Sequence, residues 1–152
     1  MNPIETLAAC AGTWRGPSTL QDPMNNVAEE SASTLTVTPV LGGRFVRMDY
    51  TWAYQGKPQE GSLLVGFDPK ANTLSGHLID TWHVGYGVMA FTGTPGADST
   101  LTVRGSYAAP PGPDWGWRID VAPGDDTLRI THYNVWPEGK EDLAVGSVYT
   151  RA

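Results

Sequence analysis

Alternation with a period of two runs through most of the chain. Between Arg44 and Tyr54 one face carries Val46, Met48, Tyr50, Trp52 and Tyr54, and the other carries Phe45, Arg47, Asp49, Thr51 and Ala53. Successive strand side chains point to opposite faces, so the first set marks an inward side. Trp115, Trp117, Ile119 and Val121 repeat the pattern against Gly116, Arg118 and Asp120. Leu128, Ile130, His132, Asn134 and Trp136 do so against Thr127, Arg129, Thr131 and Tyr133. Further strands are expected over roughly 12–19, 27–38, 61–67, 73–80, 85–92, 100–107 and 142–151.

The segments between them hold residues that preset φ or tolerate positive φ, as in Gln55-Gly56-Lys57-Pro58, Asp68-Pro69-Lys70-Ala71-Asn72 and Ala122-Pro123-Gly124-Asp125. Short strands so closely spaced form an antiparallel meander. The expected fold is therefore all-β: a single antiparallel up-and-down β-barrel of about ten strands, closed because closure removes exposed edges. A two-sheet sandwich is the alternative. A short N-terminal helix precedes the strands, and residues 1–152 read as one domain. Asn25-Asn26 and the stretch from Ala108 to Asp114 read as longer loops beside the barrel mouth.

Composition narrows the function classes. Eighteen Gly and twelve Pro among 152 residues supply the turns, and six Trp with six Tyr supply core bulk. Ten Lys/Arg against sixteen Asp/Glu leave a formal charge of −6, which argues against a nucleic-acid or anionic-membrane partner. The single cysteine, Cys10, permits no internal disulfide and no multi-thiolate metal site. Leu7-Ala8-Ala9-Cys10 resembles a lipidation box, but no Lys or Arg precedes it, and Pro3 and Glu5 interrupt the apolar stretch. The longest run free of Asp, Glu, Lys and Arg, between Asp80 and Asp98, is too rich in Gly for a membrane helix. A cytoplasmic location is the expectation.

Candidate chemistry lies on inward faces. Met48, Tyr50, Trp52, Trp117 and Trp136 form an aromatic-rich lining, and Leu78, Asp80, His132 and Asn134 share it by parity. Such a lumen suits a small apolar or aromatic ligand. Asp80 has two readings: an inward acid or ligand anchor, or a carboxylate tying down the turn at 81–85 through backbone N–H groups. His132 points inward, His77 outward, and His83 falls at one rim. If Asp80 and His132 met, they would make an acid/base pair for a cofactor-free isomerase, cyclase or decarboxylase. The three His show no ligand spacing such as H-x-x-x-H, and no nucleophile elbow, P-loop or dinucleotide fingerprint appears, so neither metal nor cofactor is expected.

Gly12-Thr13-Trp14-Arg15-Gly16 resembles the opening strand of the calycin superfamily. With Pro39 to Phe45, Asp49-Tyr50, Gly56-Lys57-Pro58, Gly66-Phe67-Asp68, Gly76 to Asp80 and Val148 to Arg151, the chain resembles the bacterial domain-of-unknown-function 1579 family of lipocalin-like barrels. The resemblance implies a barrel without assigned chemistry, closed at its floor by Trp14 stacked on Arg151. The chain departs from the family at Leu78, where an aromatic is common, and at Trp82-His83. Nitrobindin-type haem barrels open similarly, which makes haem a further reading. Their axial His near the C-terminus has no counterpart between Leu143 and Arg151. A homodimer through an outer barrel face is an ordinary possibility for such a fold.

Overall fold

The computed structural model describes residues 2–22 and 25–152. Helix α1 (Pro3–Ala8) is followed by β1 (Gly12–Asp22), β2 (Val27–Val40), β3 (Phe45–Tyr54), β4 (Lys57–Asp68) and β5 (Thr73–Asp80). Then come β6 (Met89–Gly93), β7 (Leu101–Tyr107), β8 (Trp115–Pro123), β9 (Thr127–Val135) and β10 (Glu141–Arg151). Every strand pairs antiparallel with its chain neighbour, and β1 pairs with β10, closing the barrel. The expected single up-and-down barrel of about ten strands is what forms.

Local sequence explains most boundaries. Asn2 caps α1 by accepting from the Ile4 N–H at 2.9 Å, with Pro3 at the first helical position, where a missing N–H costs nothing. Gln55 and Gly56, at φ 49° and 77°, turn β3 into β4 in two residues, so β4 begins at Lys57 rather than near 61. Gly16 permits the closure itself: a Cβ there would lie 1.8 Å from the Val148 carbonyl oxygen across the β1–β10 seam.

The inward faces bury Leu35, Val46, Met48, Leu74, Leu78, Ile119 and Leu128 almost completely. Ile4 and Leu7 of α1 join the same cluster and stopper one end of the barrel, with Cys10 buried beside them. At this floor Trp14 is paired in register with Arg151, whose guanidinium lies 4.4 Å from the indole centroid. The Trp14 indole N–H donates to the Cys10 carbonyl at 2.8 Å, and Arg151 donates to the carbonyls of Ala11 and Ala9 at 2.7 and 3.2 Å. One cation thus holds the helix end and the first strand together. Arg151→Ala is expected to cost about 1–2 kcal/mol, from the lost ring contact and hydrogen bonds, read as a lower urea midpoint.

The opposite end is built differently. β6 has only five residues, and its pairing with β7 reduces to one register pair, Thr92 with Arg104. This is the weakest seam of the barrel. The expected strand over 85–92 starts late because residues 81–86 fold into turns instead. No helix among the described residues is long and apolar enough to cross a membrane.

Candidate functional site

The open end contains a cavity of about 1920 Å³. Its walls come from the ends of β1, β2, β3 and β5 to β10 and from the 82–88 loop, with Leu78, Trp82, Phe91, Tyr107, Trp115 and Trp117 among its larger apolar and aromatic members. Beside it lies a small chamber of about 30 Å³, lined by Met48, Tyr50, Trp52, Asp80, His132 and His83 among others. The expected lining therefore divides in two. Leu78, Trp117 and Asn134 face the open cavity, whereas Met48, Tyr50, Trp52, Asp80 and His132 surround the small chamber. Among the described residues, only His83 borders both.

Asp80 closes β5 and is almost wholly buried. Its Oδ1 accepts from the backbone N–H groups of Trp82 and His83 at 2.7 and 2.8 Å, an Asx turn that folds the chain back over the barrel end. The His83 ring, brought round by that turn, places Nδ1 3.1 Å from the same oxygen. Oδ2 accepts from the Tyr50 hydroxyl at 2.6 Å. Burial alone would push this carboxyl up. The hydrogen bonds and positive charge offered by His83, with the Tyr50 hydroxyl, outweigh it and hold Asp80 down at about 2. Tyr50 responds oppositely: burial and the adjacent carboxylate push its hydroxyl well above the ordinary range.

His132 is not the partner of Asp80. It stands on β9, buried, where Nδ1 accepts from the Trp117 indole N–H at 2.9 Å. Burial, and then repulsion from His83, lower its pKa to about 3 despite some help from Asp80, so the ring is neutral at pH 7. Strand parity puts Asp80 and His132 on inward faces and leaves open whether they meet; the imidazole that reaches Asp80 is that of His83. The reason is local: a residue three positions away through a tight turn reaches the carboxylate before one across the lumen does.

His83 itself lies inside an aromatic wall rather than at an exposed rim. Its ring centroid is 5.5 Å from Trp52, 4.9 Å from Trp82, 5.4 Å from Trp117 and 6.3 Å from His132. Its Nε2 is buried without a hydrogen-bond partner among the described residues. Nothing in periodicity flags His83, because turns have no parity. The Asp-x-x-His spacing at an expected strand end was the signal available.

Several other polar groups at the mouth are engaged. Asn134 accepts from the Tyr107 hydroxyl at 2.6 Å, and Asp22 accepts from Tyr54 and Asn25. Arg104 is the only Lys or Arg on the cavity wall among the described residues, and it donates to Glu141 at 2.8 Å. His77 faces outward. No group of three or more His, Cys, Asp and Glu suited to a metal occurs among the described residues.

A family model for proteins of unknown function, DUF1579, matches residues 2–151. The chain belongs to the DUF1579 family. No curated protein matches it at a significant level. Among solved structures, this DUF1579 barrel is similar to that of Rv2717c from M. tuberculosis, with a TM-score of 0.67 and 13% identity, covering 100% of this chain and 98% of that one. At that identity the likeness is one of fold.

Proposed function

We propose that this DUF1579 barrel binds a small, largely apolar or aromatic molecule in its open end. The observation that carries the reading is the cavity of about 1920 Å³, in whose wall Leu78, Trp82, Phe91, Tyr107, Trp115 and Trp117 stand beside polar side chains such as Gln21, Asn25 and Ser106. The floor, by contrast, is tightly packed. A molecule entering between β6 and β7 would separate only one register pair. Charge narrows the ligand further. Arg104, the one wall cation among the described residues, is engaged by Glu141, so none of those residues offers a free positive group to a carboxylate head. The ligand is neutral.

Titration with a neutral solvatochromic dye such as Nile red is expected to give saturable one-to-one binding with a blue shift, reversed by naphthalene. A linear, non-saturating response would overturn the proposal. A second reading, cofactor-free proton transfer, is supported by the Asp80–His83 pair, in which a carboxylate orients an imidazole as general bases require. Conversion of a bound ligand, rather than its simple release, distinguishes this reading.

A further inference from the structure

The segment joining β5 to β6 is fastened at its root and free at its tip. At the root, the Thr81 N–H donates to the Glu60 carbonyl at 3.0 Å, and the Thr81 hydroxyl accepts from the Glu60 N–H at 3.0 Å. Asp80 holds the Trp82 and His83 N–H groups, and the Trp82 ring packs 5.8 Å from Trp52 and 5.3 Å from Tyr54. Beyond His83 these ties stop. From Val84 to Val88 the one hydrogen bond among the described residues is internal, from the Gly87 N–H to the Val84 carbonyl at 2.9 Å.

The tip reads Gly85-Tyr86-Gly87. Gly85 sits at φ 58°, and a Cβ added there would meet nothing within 4 Å. Glycine crosses between left- and right-handed backbone conformations at little cost, so the chain can pivot on both sides of Tyr86. Tyr86 itself is fully exposed, and Val88 is largely so. Val84, Gly87 and Val88 line the open cavity, whereas Tyr86 stands in solvent outside it. A large ring is thus carried on an untethered loop at the edge of an open mouth.

We propose that Gly85-Tyr86-Gly87 is a lid, and that Tyr86 turns from solvent onto the bound ligand and closes the mouth from the β5–β6 side. This rests on the ligand-binding reading above and adds a mobile residue to its wall. The fastened root supplies a fixed hinge point, so closure needs no movement of the barrel. In the free protein the Tyr86 ring gains nothing from water; over a ligand, both apolar surfaces leave it. The hydroxyl can stay at the rim in water, so the closed position requires no buried hydrogen-bond partner. Ordering the loop opposes closure, which keeps the expected gain moderate.

The test pairs affinity with the exposure of one ring. Because Tyr86 is fully exposed, Tyr86→Ala and Tyr86→Phe should both keep the native urea midpoint. Tyr86→Ala is expected to bind Nile red about tenfold more weakly, chiefly through faster release, and Tyr86→Phe to stay within about twofold of native. In protein labelled with 3-fluorotyrosine, the Tyr86 ¹⁹F line is identified by its absence from Tyr86→Phe. Its shift between H₂O and D₂O should be present in the free protein and lost on saturation with naphthalene. A line that keeps this solvent shift in the saturated complex, or a Tyr86→Ala affinity within about twofold of native, would overturn the lid and leave ligand binding standing. Binding of neither probe by the native protein would overturn both.

Discussion

Acidification from pH 6.5 to 3 is expected to remove on the order of 4–5 kcal/mol of stability through His132 alone. The folded protein holds this ring neutral down to about pH 3, because burial disfavours the imidazolium. The unfolded chain protonates it near 6.5. Between those values the unfolded state binds one more proton, so stability falls with pH by about 1.4 kcal/mol per unit. The contribution is fully present above 6.5 and lost as pH approaches 3. Asp80 acts lower down: its folded value of about 2 lies beneath the unfolded carboxylate value, so a further ~2–3 kcal/mol disappears as pH falls from about 4 towards 2. Urea unfolding at pH 6.5, 5.5 and 4.5 reads the first effect before carboxylates dominate. His132→Leu is expected to be less stable than the native protein at pH 7, since it orphans the Trp117 N–H, yet to show a slope flatter by most of 1.4 kcal/mol per unit. Parallel slopes for the two proteins would mean that His132 is not held neutral.

That histidine also shows what a sequence reveals about a barrel. Alternation identified the inward residues well: Met48, Trp117, Ile119, Leu128 and Ile130 are buried, and His77 is not. Parity decides which face a side chain takes because the strand backbone leaves no choice. It carries no information about which inward residue meets which across a lumen, since that depends on strand tilt, closure and side-chain length. Asp80 and His132 were both correctly inward, and the interaction went elsewhere. The turn after β5 was legible only in part. Asp at a strand end signals an Asx turn, but how far the turn delays β6, and that it swings His83 into the aromatic wall, depends on contacts with Trp52 and Trp117 from distant segments. The division into a packed chamber and an open mouth follows from volumes, to which period-two patterns are blind. Inward aromatics can fill a barrel or line it, and here Trp52 does the first while Trp115 does the second.

Replacing Asp80 with Ala is expected to cost about 3–5 kcal/mol and to unfasten the segment from Thr81 to Val88. Four donors converge on that carboxylate: the Tyr50 hydroxyl, two backbone N–H groups and the His83 ring. Deleting one acceptor leaves several of them buried without partners, and each such group costs about 1–3 kcal/mol unless water reaches it. Water will reach the backbone groups once the loop lifts, so the total falls well short of four separate penalties. The same lifting removes Trp82 and His83 from the wall they share with the cavity, so dye binding should weaken with stability. Asp80→Asn separates shape from charge. Its amide oxygen can still accept from the turn, but its NH₂ faces the Tyr50 hydroxyl, which must reverse to accept, and about 1–2 kcal/mol is the expected loss. Urea midpoints give the energies, and hydrogen exchange of residues 81–88 locates them. In the Ala variant those amides should exchange much faster than the β8 and β9 amides under the same conditions. Uniform acceleration throughout the barrel would mean instead that Asp80 holds the whole fold rather than the turn, and that His83 is positioned by its aromatic neighbours alone.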